Sequence, residues 1–170
     1  ASSTTRRLAE AAGINEVTLF RHFKSNHKLF EAVVEQFGCP AVSAEVEARF
    51  SGNYREDLIQ IGKYFMSLMV ERSRMIRLMM CEAAHFPDLA TVMGQNPVLM
   101  RQVLARYLQG QIDRGVIKPV NTIAASQAFW GMFFAYGLGK EIYTHQVDLG
   151  LTAEEIVENF VDLFIDGTLR

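Results

Sequence analysis

Thr18, Arg21 and His22, set just behind an asparagine at position 15, are the side chains whose spacing most directly implies chemistry. Leu19 and Phe23 are four residues apart and share one helix face, which leaves Thr18, Arg21 and His22 pointing outward. A guanidinium, an imidazole and a hydroxyl presented together suit reversible recognition of phosphates and base edges. A second constellation, Glu82-x-x-His85 with Cys81 four residues before the histidine, has the spacing of carboxylate–histidine metal bundles. The matching second pair is missing, and His145 near Glu141 is a weaker case, so a hydrogen-bonded or exposed histidine is expected, with no metal and no cofactor. The chain has no glycine-rich phosphate loop, nucleophile elbow or HExxH, and no carboxylate pair flanked by a base. It is not expected to be an enzyme.

The elements that must position the outward residues can be read from the same stretch. Thr4 or Thr5 can cap a first helix with Leu8, Ala9 and Ala12 on its inner face, Ala9 being small because a second helix crosses close to it. Gly13 supplies the positive φ of the turn, Ile14 plugs the angle between the helices, and Asn15 caps the second helix. The pattern is a helix-turn-helix. Its charge agrees: residues 1–30 carry five basic and two acidic groups, a balance of +3, against twelve basic and seventeen acidic, −5, over residues 31–170. Only the N-terminal segment invites phosphates.

Beyond it, apolar residues recur near every 3.6 positions, and the chain is expected to be all-α. Breaks are expected at Gly13, Gly38–Pro40, Ser51–Asn53, Phe86–Pro87, Asn96–Pro97, Gly115–Pro119 and Thr144–Leu151, leaving eight or nine helices. Asn53 with Glu56, and Thr152 with Glu155, fit capping boxes that start helices near Tyr54 and Ala153, the latter ending at Gly167. A helix from Asn121 to Tyr143 has a face of small residues (Ala124, Ala128, Gly131, Ala135, Gly139) and one of bulky residues (Trp130, Phe133, Phe134, Leu138). With the Ile156, Phe160 and Phe164 stripe of the last helix, the small face suits close approach of a second subunit. Cys39 and Cys81 lack metal or disulfide spacing and are expected to be reduced and buried. No signal peptide or uninterrupted apolar span is evident, so a cytoplasmic protein without membrane association is expected.

The N-terminal stretch resembles the TetR (tetracycline-repressor) family, whose members carry a pattern close to T-x-x-x-I-A-x-x-A-G-V-S-x-x-T-L-Y-x-H-F-x-S-K-x-x-L; the likeness fades beyond about Phe37. The resemblance implies a helix-turn-helix DNA-binding domain over 1–37 and an effector-binding and dimerisation domain over 40–170. It implies that Thr18 and Arg21, with Glu16 and Val17, meet base edges in the major groove. It implies that His22, Thr5, Arg6 and Lys28 meet phosphates, with Phe20 standing where a tyrosine usually does and losing a hydroxyl contact. Asn26 replaces a frequent lysine, though Ser25 or Asn26 can cap the next helix. Relative to the family pattern the chain begins at the second helix, and weak DNA binding is expected of such a fragment.

The expected function is a ligand-responsive repressor that binds a palindromic operator in double-stranded DNA as a homodimer and is released by a small apolar or aromatic effector. An activator of the same fold, and a helical ligand-binding module without DNA function, are the alternatives. All eight methionines lie between Met66 and Met132, and methionine adapts to irregular cavities. Pocket candidates are Phe65, Met69, Met79, Glu82, His85, Met100, Tyr107, Trp130 and Phe134. The segment Asn26–Phe37 is the expected lever between head and effector domain.

Overall fold

Local capping chemistry places several helix starts. Asn15 has extended backbone and its side chain accepts from the Thr18 amide at 2.7 Å, which starts the second helix. Thr152 and Glu155 form a complete capping box: Thr152 Oγ1 accepts from the Glu155 amide at 3.2 Å, and Glu155 Oε2 accepts from the Thr152 amide at 2.7 Å. Those bonds to Thr152 hold the Glu155 carboxyl below its ordinary pKa. The computed structural model describes residues 5–25, 28–29, 31–32, 40–83, 87–143 and 149–169. Its named helices are α1 (Thr5–Ala11), α2 (Glu16–Phe23), α3 (Pro40–Glu47), α4 (Tyr54–Ala83), α5 (Pro87–Asp113), α6 (Thr122–Tyr143) and α7 (Ala153–Thr168). Among the described residues there is no strand, only an isolated antiparallel bridge between Ile117 and Leu169.

The all-α expectation holds, with local corrections. Asn96–Pro97 does not break the chain, because α5 runs through Pro97. A proline there removes one backbone bond and crowds the preceding turn. The helix persists because Met100, Val103, Leu104 and Leu108, just beyond it, are buried in the core. The last helix does not stop at Gly167 but reaches Thr168. At the start of α4 only half of the expected box forms: Asn53 Oδ1 receives the Glu56 amide at a long 3.4 Å, while the Glu56 carboxylate accepts from Gln60 instead. Cys81 is exposed, not buried, because it lies on the outer side of α4; Cys39 lies outside the described residues.

Asp57 does the work expected of Asn53 and Glu56. Its carboxylate, 1% exposed, accepts from the Ser51 amide (2.7 Å), the Ser51 hydroxyl (2.7 Å), the Gly52 amide (2.8 Å) and the Tyr107 hydroxyl (2.6 Å). The loop before α4 is thereby tied to α5. Burial alone would raise the Asp57 pKa, but the four hydrogen bonds outweigh it and hold the carboxyl below its usual value. Burial, then the bond to Asp57, push the Tyr107 phenol well above its ordinary range. Phe50 stacks on Tyr107 at 4.0 Å, and the Arg49 guanidinium lies 3.8 Å from the centroid of the Tyr64 ring.

α4 is the axis of the body and packs on α5, α6 and α7, while α3 packs on α5. The centre is aromatic: Phe129 meets Phe133 at 5.0 Å and Phe164 at 5.2 Å, both edge-on, and Phe129 and Phe133 are wholly buried. Burial of each such ring stabilises the fold by about 1.5–3 kcal/mol. Gly62 allows this approach, since a Cβ there would stand 3.0 Å from Phe133 Cζ and 3.0 Å from Val157 Cγ1. At the other end the Thr168 hydroxyl donates to Phe164 O at 2.9 Å, so it is the Tyr54 hydroxyl that donates across the 2.8 Å contact with Thr168 Oγ1.

Candidate nucleic-acid interface and ligand groove

The head is built by turn chemistry. Gly13 has φ +67°, and the Ile14 amide returns to Ala9 O at 3.0 Å, which turns the chain between α1 and α2. α1 packs on α2, and among the described residues of the two helices Ala9 and Leu19 are those that are buried. Leu8, Ala12 and Ile14 are exposed and Phe23 half-buried, contrary to the expected inner face and plug, because helices of seven and eight residues have too little surface to cover them. α2 ends at Lys24, whose φ of 59° is left-handed and whose amide donates to Phe20 O at 2.8 Å. Ser25 then caps the next helical residues, its hydroxyl accepting from the Lys28 amide at 3.1 Å.

On the outer side of α2, Glu16, Arg21 and His22 are exposed, Thr18 is half-buried, and Val17 and Phe20 are 77% and 47% exposed. Arg21 and Lys24 have no acidic partner within ion-pair distance among the described residues. The expected phosphate-contacting groups are less uniform. Arg6 Nε lies 3.2 Å from Glu10 and Lys28 Nζ 2.6 Å from Glu31, both in exposed pairs that a phosphate can displace at little cost. The His22 ring lies 6.4 Å from that of Phe23. The Thr5 side chain lies outside the described residues, as does most of the expected lever 26–37. Lys24 was not singled out from the sequence, although its place at the end of the outward helix was the available signal.

The expected pocket residues do not surround one space. Phe65 and Trp130 pack at 5.2 Å, and Trp130 Nε1 donates to Met100 O at 3.2 Å, so these three form part of the core. Tyr107 is occupied with Asp57 and Phe50, and Phe134 is exposed on the outside of α6. The Met79 and Glu82 side chains and the whole of His85 lie outside the described residues. Only Met69 lines the groove that α4, α6 and α7 enclose, a space of about 480 Å³. Its floor is apolar (Met66, Met69, Val157), and its rim carries Lys63, Glu71, Lys140 and Glu154. The Lys63 ammonium donates to Glu154 at 3.1 Å across one end.

The residues expected at a subunit contact also divide. Ala124, Ala128 and Ala135 are exposed and Gly131 and Phe160 partly so, but Ile156 and Phe164 are core residues turned inward against Phe129 and its neighbours. Gly139, counted with the small face, is buried. Leu163, 67% exposed, and Phe134 supply outward apolar surface instead.

The model of bacterial regulatory proteins of the tetR family matches residues 1–33, and that of the AefR-like transcriptional repressor C-terminal domain matches residues 56–167. The chain belongs to the TetR family. It is a TetR-family transcriptional regulator with a helix-turn-helix head followed by a helical domain. It is similar to the uncharacterized helix-turn-helix regulator YvkB of Bacillus subtilis, 28% identical over 98% of this chain and 86% of the relative. A Mycobacterium bovis regulator, Mb1581, is 25% identical over 93% of this chain and 75% of its own. A solved structure described as a TetR-family regulator from Mesorhizobium loti superposes with a TM-score of 0.76 at 20% identity, covering 99% of this chain and 87% of the other. One described as a Clostridium perfringens fatty acid metabolism regulator gives 0.73 at 15% identity, over 97% and 88%. The flavonoid-responsive regulator FrrA gives 0.68 at 17% identity, over 98% and 87%. No helix among the described residues is long and apolar enough to cross a membrane.

Proposed function

We propose that this TetR-family regulator is a ligand-responsive repressor that works in the cytoplasm and binds a palindromic operator as a homodimer. The observation that carries the reading is α2 itself: a capped helix whose outer side offers Thr18, Arg21 and His22, with Arg21 free of any acidic partner among the described residues. An arginine in that position can bind a guanine edge through two parallel bonds, while Arg6, His22, Lys24 and Lys28 hold phosphates and set register. Residues 1–37 form the reading head and 40–170 the effector and dimerisation domain.

Two heads held about 34 Å apart enter successive major grooves. The outward face of α6 and α7, with Ala124, Ala128, Gly131, Phe134, Ala135, Phe160 and Leu163, is the surface on which two copies pair. A ligand in the groove between α4, α6 and α7 stabilises a dimer whose head spacing no longer fits the operator. The description of the matching C-terminal family as that of AefR-like repressors, and of the structural neighbour FrrA as flavonoid-responsive, are consistent with this scheme.

Fluorescence anisotropy on duplexes from the protein's own upstream promoter and on a scrambled duplex, at two salt concentrations, tests the reading. Tighter, two-fold-symmetric binding to the promoter supports it. Equal, weak, salt-sensitive binding to both duplexes, or a reporter whose expression falls when the protein is deleted, refutes specific repression at that promoter.

A further inference from the structure

The groove between α4, α6 and α7 carries a chemical bias that the proposed function leaves open, and the inference rests on that reading of it as the effector site. Its floor is Met66, Met69 and Val157, with Val70 at the side. Methionine thioethers and a valine present no fixed hydrogen-bonding group, so the floor suits a flexible hydrocarbon more than a patterned polar ring. A volume of about 480 Å³ falls within the range of small-molecule sites.

The polar groups of the rim are not equivalent. Lys63 is already engaged with Glu154. Lys140 is exposed and has no ion-pair partner among the described residues. One helical turn before it on the same side of α6 stands Tyr136, only 8% exposed, whose hydroxyl has no hydrogen-bond partner among the described residues. A free ammonium and a phenolic donor thus border the same groove from one helix. On the facing helix, Glu71 is exposed and has no ion-pair partner among the described residues either, and it disfavours a second negative charge at that rim.

The geometry points to an amphipathic monocarboxylate as the ligand: an unbranched hydrocarbon chain on Met66, Met69 and Val157, and one carboxylate held by Lys140 and Tyr136. The Tyr136 ring also meets Phe160 edge-on at 6.0 Å, so a ligand that draws the phenol toward the groove acts on a residue of the outward face of α7.

Calorimetric titration of the full chain, without DNA, with decanoate, 1-decanol and decyltrimethylammonium tests the assignment. Decanoate is expected to bind saturably and more tightly than the alcohol, and the cation not to bind. Lys140→Ala, a change at an exposed side chain, is expected to weaken decanoate by about tenfold or more while leaving the alcohol unchanged, and Tyr136→Phe to weaken decanoate by a smaller factor. Absence of saturable decanoate binding, equal binding of the cation, or decanoate affinity indifferent to Lys140→Ala overturns the proposal. Because no DNA is present, those failures leave the operator-binding reading standing. Failure of promoter binding with normal decanoate affinity removes that reading and leaves the ligand class intact.

Discussion

Arg21 and Asp57 are both single charged residues, but one is free and exposed and the other is buried and fully bonded, and their substitutions should differ accordingly. Arg21→Ala removes no hydrogen bond or ion pair among the described residues, so stability should be unchanged while operator affinity falls by about 1–3 kcal/mol, roughly 5-fold to 150-fold. Anisotropy and thermal melting together check this, and a lowered melting temperature would show that Arg21 is structural. Asp57→Asn turns an acceptor-only group into one that sets an amide donor against the Gly52 or Ser51 N–H. It should cost about 1–3 kcal/mol by denaturant unfolding. Because its folded pKa is depressed, Asp57 contributes stability that is fully present above the unfolded value of about 3.9 and is lost as pH falls through the folded value. Tyr107 has the opposite sign: its raised pKa contributes stability below about pH 10 that fades as pH climbs further. Unfolding titrations of wild type and Asp57→Asn should therefore differ at neutral pH and begin to converge only below about pH 4, as pH falls toward the folded value; a constant difference down through that range would show that Asp57 is not the group responsible.

At the scale of the element, α5 and α7 show how far local chemistry reaches. Thr152→Ala abolishes a complete capping box and should destabilise the protein by about 0.5–2 kcal/mol, measured by chemical unfolding. Pro97→Ala restores an N–H inside α5 at an exposed position and should stabilise by about 1 kcal/mol or more; a loss of stability would mean that the surroundings require the proline ring. The contrast also shows what was legible beforehand. Gly13, Asn15 and the Thr152–Glu155 pair act within five residues of themselves, and their roles follow from residue type and spacing alone. Asp57 acts through Tyr107, fifty residues away, and no local rule sets it above Asn53 and Glu56 as the anchor of that loop. The persistence of α5 through Pro97 depends likewise on the burial of Met100 to Leu108.

For the whole molecule, the fold class and the existence of a reading head were legible because they rest on periodicity and on one local motif. The groove was not, since α4, α6 and α7 bring together residues as distant as Lys63 and Glu154. A methionine and aromatic cluster marks core and cavity alike, which is why Phe65, Met100 and Trp130, which pack together in the core, read from the sequence like pocket-lining residues. The same ambiguity placed Ile156 and Phe164 outward, when the alternation of α7 turns Leu163 out and those two in. If the proposed pairing is right, Leu163→Asp combined with Phe134→Asp should leave the subunit folded by circular dichroism and convert dimer to monomer in sedimentation, with operator affinity falling in step. A dimer that survives both changes would place the contact elsewhere.

Gly137 borders the groove, and a Cβ there would stand 3.2 Å from Met69 Cβ and 3.3 Å from its Cε. The absence of a single methyl group thus sets how deep Met69 can lie and, for the hydrocarbon ligand proposed above, the length of chain the space would accept. If the groove is the effector site proposed above, selection for a shorter or longer compound would have a one-step route through position 137 that leaves Lys140, Tyr136 and the head untouched, so inducer range and operator choice could diverge independently among descendants of this gene.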